Sequence, residues 1–162
     1  MAQASLLSLK GRALRLLAAR EHSRAELERK LRPHAQQAGL LDQLGPILDE
    51  LAARDLINEG RVAESLLNRR AGKLGSARLR QELSRKGLGR EDVELAMLGL
   101  KSTELARARA VQLKKFAGPP KDRNESARQM RFLISRGFSA EIVRRAMQGI
   151  GLEAEQDEGA SA

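Results

Sequence analysis

Gly87-Leu88-Gly89-Arg90-Glu91-Asp92-Val93-Glu94-Leu95-Ala96-Met97-Leu98-Gly99-Leu100 lies over Gly137-Phe138-Ser139-Ala140-Glu141-Ile142-Val143-Arg144-Arg145-Ala146-Met147-Gln148-Gly149-Ile150 with every residue displaced by 50 and no gap. The match continues upstream, where Ser76-Ala77-Arg78 covers Ser126-Ala127-Arg128 and Leu83 covers Leu133. Within both copies the apolar residues fall at i, i+3, i+4 and i+7: Val93, Ala96, Met97, Leu100 and Val143, Ala146, Met147, Ile150. That is the stripe of an amphipathic helix. Leu44, Ile47, Leu48 and Leu51 repeat it a third time near the N-terminus. The chain therefore reads as tandem helical units of about 40 to 50 residues, a period typical of repeat architectures.

Each unit divides into three short helices. First helices carry Leu9, Ala13, Leu16, Leu17, then Val62, Ala63, Leu66, Leu67, then Ala106, Ala110, Leu113, Ala117. Middle helices carry Leu27 and Leu31, Leu79 and Leu83, and Met130, Leu133 and Ile134. Ser23-Arg24-Ala25-Glu26 is a capping box, in which the Ser oxygen accepts from a free backbone N–H and the Glu reaches back to the Ser amide. Gly87 and Gly137 stand where the middle helices should end, Ser139 suits the next helix start, and Pro119-Pro120 forbids a helix continuing past Gly118. The reading is all-α, with three-helix repeats at 6–59, 60–100 and 101–151 and an acidic, disordered tail at 152–162. Three helices of this length bury too little to stand alone, so the units are expected to stack into an elongated, curved row.

Composition supports helices over strands. Aromatic residues are 2% of the chain, three Phe without Trp or Tyr, so Leu, Ile, Val, Met and Ala must build the core. No Cys is present, which removes disulfides, thiolate metal sites and Cys nucleophiles and fits a reducing compartment. No apolar run reaches the roughly 18 residues of a membrane span, and Met1-Ala2-Gln3-Ala4-Ser5 has no signal character. A cytoplasmic, monomeric protein without membrane contact is expected.

Catalysis finds no support. His22 and His34 flank one helix at a spacing that does not bring both to one metal, and His22 beside the Ser23 cap reads as structural. Gly72-Lys73 resembles the end of a phosphate loop, but Leu67 stands where G-x-x-x-x-G-K needs its first Gly. Asp49-Glu50 and Glu91-Asp92 are explained by helix surfaces and first turns. No enzyme, metal or cofactor is expected.

The distribution of charge is the remaining signal. The net charge is +9; nine cations nearly cancel eight carboxylates in residues 1–60, nine outweigh five in 61–100, and twelve outweigh four in 101–151. Such a gradient fits a polyanion or an acidic protein surface. The candidate contact residues are Arg69, Arg70, Lys73, Arg78, Arg85 and Lys86 in the second unit, and Lys114, Lys115, Arg123, Arg128, Arg131 and Arg136 in the third. Arg78 and Arg85 are seven positions apart and Arg128 and Arg131 three, so each pair shares a helix face. The opposing reading is a solvated exterior. Because aromatics are not interleaved with these cations, base stacking is not a leading expectation.

Several stretches resemble one known family. Arg20-Glu21-His22-Ser23-Arg24-Ala25-Glu26-Leu27 with Lys30-Leu31 is similar to the opening unit of RecX regulators, Gly75 to Leu88 to the middle unit with its G-x-x-R, E-L and K-G pattern, and Arg131-Phe132-Leu133-Ile134-Ser135-Arg136-Gly137-Phe138 to the final one. Together they span residues 6 to 150 in the family's order. Where the family usually shows two Asp and an aromatic, this chain has Asn58, Glu59 and Val62, and Leu74 replaces a further aromatic. The resemblance implies three three-helix repeats and a regulator that binds in the groove of the RecA–DNA filament. Such a regulator limits filament growth, strand exchange, ATP turnover and the co-protease function behind the SOS response. Two readings compete with it: a basic helical DNA- or RNA-binding module without a RecA-specific role, and a helical scaffold unconnected with nucleic acid.

Overall fold

A computed structural model of the chain describes the backbone of residues 2–156 and the side chains of residues 8–148. Among the described residues there are nine α-helices, one 3-10 turn and no strand. The first triplet is α1 (Ala2–Ala19), α2 (Arg24–Gln37) and α3 (Leu41–Ala53); the second is α4 (Glu59–Arg70), α5 (Ser76–Arg85) and α6 (Arg90–Leu98). After a 3-10 turn at Lys101–Thr103 come α7 (Glu104–Phe116), α8 (Arg123–Ser135) and α9 (Ala140–Gln156). The expected disordered tail begins inside α9, whose backbone is helical to Gln156; residues 157–162 and the side chain of Ile150 lie outside the described residues. His34 lies inside the last turn of α2 rather than beyond it.

Helix ends follow the punctuation of the sequence. Ser23 and Glu26 form the reciprocal capping box at α2, with both N–H···O bonds at 3.1 Å. The middle helices α5 and α8 close through Gly87 (φ +86°) and Gly137 (φ +92°). At each, the glycine N–H and the one after it reach back to carbonyls of the last turn: Gly87 to Ser84 and Leu88 to Leu83, Gly137 to Ile134 and Phe138 to Leu133. These are Schellman-type closures, which place a residue in the left-handed region that glycine enters without a Cβ penalty. The Pro119-Pro120 loop separates α7 from α8 as expected.

Packing divides the chain into two compact units, residues up to Ser65 with Leu83–Glu94, and Leu66–Glu82 with the chain from Leu95 onward. The middle repeat is thus apportioned to both. In the first unit, Leu9, Ala13, Leu27, Leu31, Ala35, Leu44, Ile47, Leu48, Leu51 and Ile57 form a continuous buried cluster, a nearly all-aliphatic core. Each fully buried Leu contributes about 1.5–3 kcal/mol. Glu26 is buried beside this core and takes Arg20 Nη2 at 3.1 Å and Lys86 Nζ at 2.9 Å. His22 is also buried; Lys30 Nζ donates to its Nε2 at 3.1 Å, so its Nδ1–H donates to the Arg20 carbonyl at 3.0 Å and the ring is neutral. Burial lowers its pKa and so favours this form.

In the second unit, Ala108, Val111, Leu133, Phe138, Val143 and Ala146 form the core, flanked by Leu105, Met130, Phe132, Ile142 and Met147. This corrects the sequence reading of α7. The expected stripe Ala106, Ala110, Leu113, Ala117 is exposed, whereas Ala108, Val111 and Gln112 are buried. A polar residue occupies the inward stripe. Gln112 Nε2 donates to Gln129 Oε1 of α8 at 2.6 Å, a pairing that makes the burial affordable. Ile134 is likewise turned outward.

One device recurs in both units. The Ser23 hydroxyl at the start of α2 donates to the Lys86 carbonyl at the end of α5, and a Cβ placed on Gly87 would overlap Ala25. At the start of α5, Gly75 N–H donates to the Arg136 carbonyl at 2.8 Å and Ala77 N–H to the Gly137 carbonyl at 3.1 Å. Here a Cβ on Gly137 would press into Arg78 and one on Gly75 would overlap the Gly137 carbonyl. The C-terminal turns of α5 and α8 therefore each sit on the N-terminal turn of the middle helix one repeat earlier, where a carbonyl meets a hydroxyl at α2 and carbonyls meet free N–H groups at α5.

Candidate anion-binding cleft

The second unit carries a cleft of ≈ 300 Å³ lined by Gly72, Lys73, Val111, Lys114, Lys115, Phe132 and Arg136. Three elements supply it. Lys114 and Lys115 are in the last turn of α7, where cations also oppose the helix dipole. Phe132 and Arg136 come from the end of α8, and Lys73 from the loop after α4.

Two arginines are held by rings. The Arg136 guanidinium lies 5.0 Å from the centre of Phe132, Arg128 lies 5.5 Å from that of Phe116, and the two Phe rings meet edge to face at 5.3 Å and 88°. This Arg–Phe–Phe–Arg ladder fixes the cations at the cleft by quadrupole attraction rather than by carboxylates, which leaves their charge uncancelled. The loop bearing Lys73 is tied down by Arg107, whose Nη1 donates to the carbonyls of Ala71 at 3.0 Å and Leu74 at 2.7 Å. Burial lowers the Arg107 pKa, but a guanidinium remains charged at any physiological pH.

Of the twelve cations singled out in the sequence, the cleft gathers Lys73, Lys114, Lys115 and Arg136, with Arg128 on the adjoining ladder. The others stand elsewhere. Arg70 grips Glu82 through two N–H···O bonds of 3.0 and 2.6 Å. Lys86 faces inward to Glu26, with its side chain 21% exposed. Arg78 packs its backbone and Cβ against Gly137; Arg85 belongs to the other unit; Arg69, Arg123 and Arg131 are exposed on α4 and α8. Phe132, Val111 and the tethering Arg107 were not found by sequence reasoning. An Arg four residues after a Phe at the end of α8 was the available signal for Phe132; nothing in spacing marks Arg107.

Models of the three RecX three-helix domains match the chain in order, the first at residues 10–34, the second at 58–97 and the third at 102–147. The chain belongs to the RecX family. It is 50% identical over 142 residues to the protein named regulatory protein RecX of Leptothrix cholodnii, covering 88% of each chain. Against that of Ralstonia nicotianae the identity is 46% over 143 residues, again 88% of each. The crystal structure of RecX from Lactobacillus salivarius superposes with a TM-score of 0.78 at 23% identity, covering 93% of this chain and 99% of that one, and a second RecX crystal structure gives 0.73 at 21%. RecX relatives are thus named as regulators, and the nine-helix, three-repeat plan is the family's fold. Among the described residues, no helix is long and apolar enough to cross a membrane.

Proposed function

We infer that this RecX-family chain regulates the RecA recombinase by binding the RecA–DNA filament and limiting filament extension, strand exchange, ATP turnover and the SOS co-protease function. It acts as a cytoplasmic monomer, and the cationic cleft of the second unit meets phosphates of the filament's DNA. Family membership supports the partner. The observation that carries the contact is the convergence of Lys73, Lys114, Lys115 and Arg136 on one cleft without a lining carboxylate. Uncancelled charge held on packed helices is what a phosphate contact requires.

Binding to bare single strands and to RecA-coated strands, measured in one buffer, tests this reading. A strong preference for the coated strand, together with shorter filaments in a single-filament growth assay, is the expected result. Equal binding to both would favour the basic nucleic-acid module, and binding to neither would leave a helical scaffold.

A further inference from the structure

The first unit is nearly neutral by count, yet its charges are not evenly cancelled. Among the eight carboxylates of residues 1–60, six are in ion pairs: Glu21, Glu26, Glu28, Asp49, Glu50 and Asp55. Their partners within the same span are Lys10, Arg20, Arg24, Arg32 and Arg54. Of the nine cations of that span, Arg12, Arg15, Arg29 and Lys30 are left without a carboxylate partner among the described residues. Three of those four line a single cleft. This cleft, ≈ 340 Å³, is walled by Arg12 and Arg15 of α1 and by Lys30 and His34 of α2, over Leu16 and Leu31.

Helix spacing brings these groups together. Arg12 and Arg15 are three apart on α1 and Lys30 and His34 four apart on α2, so each pair occupies one face. Lys30 is held in place by the neutral His22 ring, which accepts its proton donor without cancelling its charge. No acidic side chain lines the cleft.

We propose that this cleft seats a backbone phosphate of a single DNA strand, giving the first unit a nucleic-acid contact of its own. Guanidinium forks and an ammonium supply the donors that phosphate oxygens take, and the leucine floor accepts the carbon face of the attached sugar. Three cations around one cleft with no lining carboxylate suit a chain that carries a negative charge at every unit, which favours a strand of phosphates over an acidic peptide. The proposal rests on the function above only in bringing the protein to DNA, and its principal measurement uses bare strands, with phosphorylated and RecA-coated strands as controls.

The experiment measures binding of the full chain to an unphosphorylated oligothymidylate across a salt series, for wild type, Arg12→Gln, Arg15→Gln and Arg29→Gln. Arg29→Gln removes the same charge from the same unit but lies outside the cleft. The two cleft variants are expected to bind roughly tenfold more weakly at low salt, with the slope of log affinity on log salt smaller by about 0.7, the value for one phosphate on a single strand. Arg29→Gln should change neither by a comparable amount. Equal effects of all three substitutions would reduce the cleft to net charge and overturn the proposal, as would unchanged binding by helical, folded cleft variants. A loss seen only with a 5′-phosphorylated strand would move the ligand to the strand end, and a loss seen only on RecA-coated strands would assign the cleft to protein; either result overturns the backbone assignment. Failure of the filament reading shows itself separately, as a wild type that does not prefer coated strands.

Discussion

Glycines and one buried carboxylate show how single residues fix the repeats. Gly39 and Gly87 both have positive φ, +68° and +86°, but a Cβ on Gly39 meets open space whereas one on Gly87 overlaps Ala25. Gly39→Ala should therefore cost about 1 kcal/mol, the backbone penalty alone, and Gly87→Ala distinctly more, because the seating of α5 must also give way. Urea unfolding of the two variants compares them directly. Glu26 makes a second test. Desolvation would raise its pKa, but hydrogen bonds from Arg20, Lys86 and the Ser23 amide outweigh it and hold the carboxyl at about 2. A folded pKa below the unfolded value means that the group stabilises the protein fully above pH 4.5, and that this contribution is lost as pH falls from there to about 2. Glu26→Gln should cost about 3 kcal/mol at neutral pH and flatten that acid limb of the stability curve. A wild-type limb retained in the variant would place the titrating group elsewhere.

At the scale of the helix, α7 shows why pattern reading succeeded in some elements and failed in this one. Leu44, Ile47, Leu48 and Leu51 are all buried, and so are Leu79 and Leu83, because each stripe there is wholly apolar against polar flanks. In α7 two stripes compete. Alanines at 106 and 110 with Leu113 mimic a core face, while the true one runs through Leu105, Ala108, Val111 and Gln112 and is masked by the Gln. Only the partner Gln129 on α8 makes that Gln an inward residue, and no local pattern contains it. Leu113→Asp should thus leave the melting transition close to wild type, within about 0.5 kcal/mol for an exposed site. Val111→Asp and Leu133→Asp, which bury an unpaired charge, should abolish the cooperative transition seen by circular dichroism. The opposite ranking of Leu113 and Val111 would restore the stripe read from the sequence. The cleft was legible only as a list of cations for a related reason: Lys73, Lys114 and Arg136 come from separate elements, and their convergence is a tertiary fact.

Across the molecule, cations divide by what neutralises them. Arg70 and Lys86 are satisfied by Glu82 and Glu26, whereas Lys73, Lys114, Lys115 and Arg136 share a cleft that no carboxylate lines. Replacing those four together by Gln should weaken filament binding and lower its salt slope by roughly 0.7 to 0.9 per lost phosphate contact, with helicity unchanged. Replacing Arg78, Arg85, Arg128 and Arg131, the set that helix faces alone suggested, should do less, since only Arg128 adjoins the cleft. Parallel salt titrations of the two quadruple variants decide between them. The seating of one middle helix on the last also bears on how such a protein grows. α2 and α5 each receive a following helix end on a hydroxyl or N–H donor, whereas the first turn of α8 opens on the Asp122 carboxylate, which has no proton to donate: its Oδ1 accepts from Glu125 N–H at 2.8 Å, and Glu125 Oε2 accepts from Lys121 N–H at 2.8 Å, both exposed. Were a duplication to append a further module in the same register, its carbonyl-rich turn would arrive against a carboxylate and be repelled. Exchanging Asp122 for Ser would give α8 the hydroxyl that Ser23 offers at α2, and with it the donor such a turn needs.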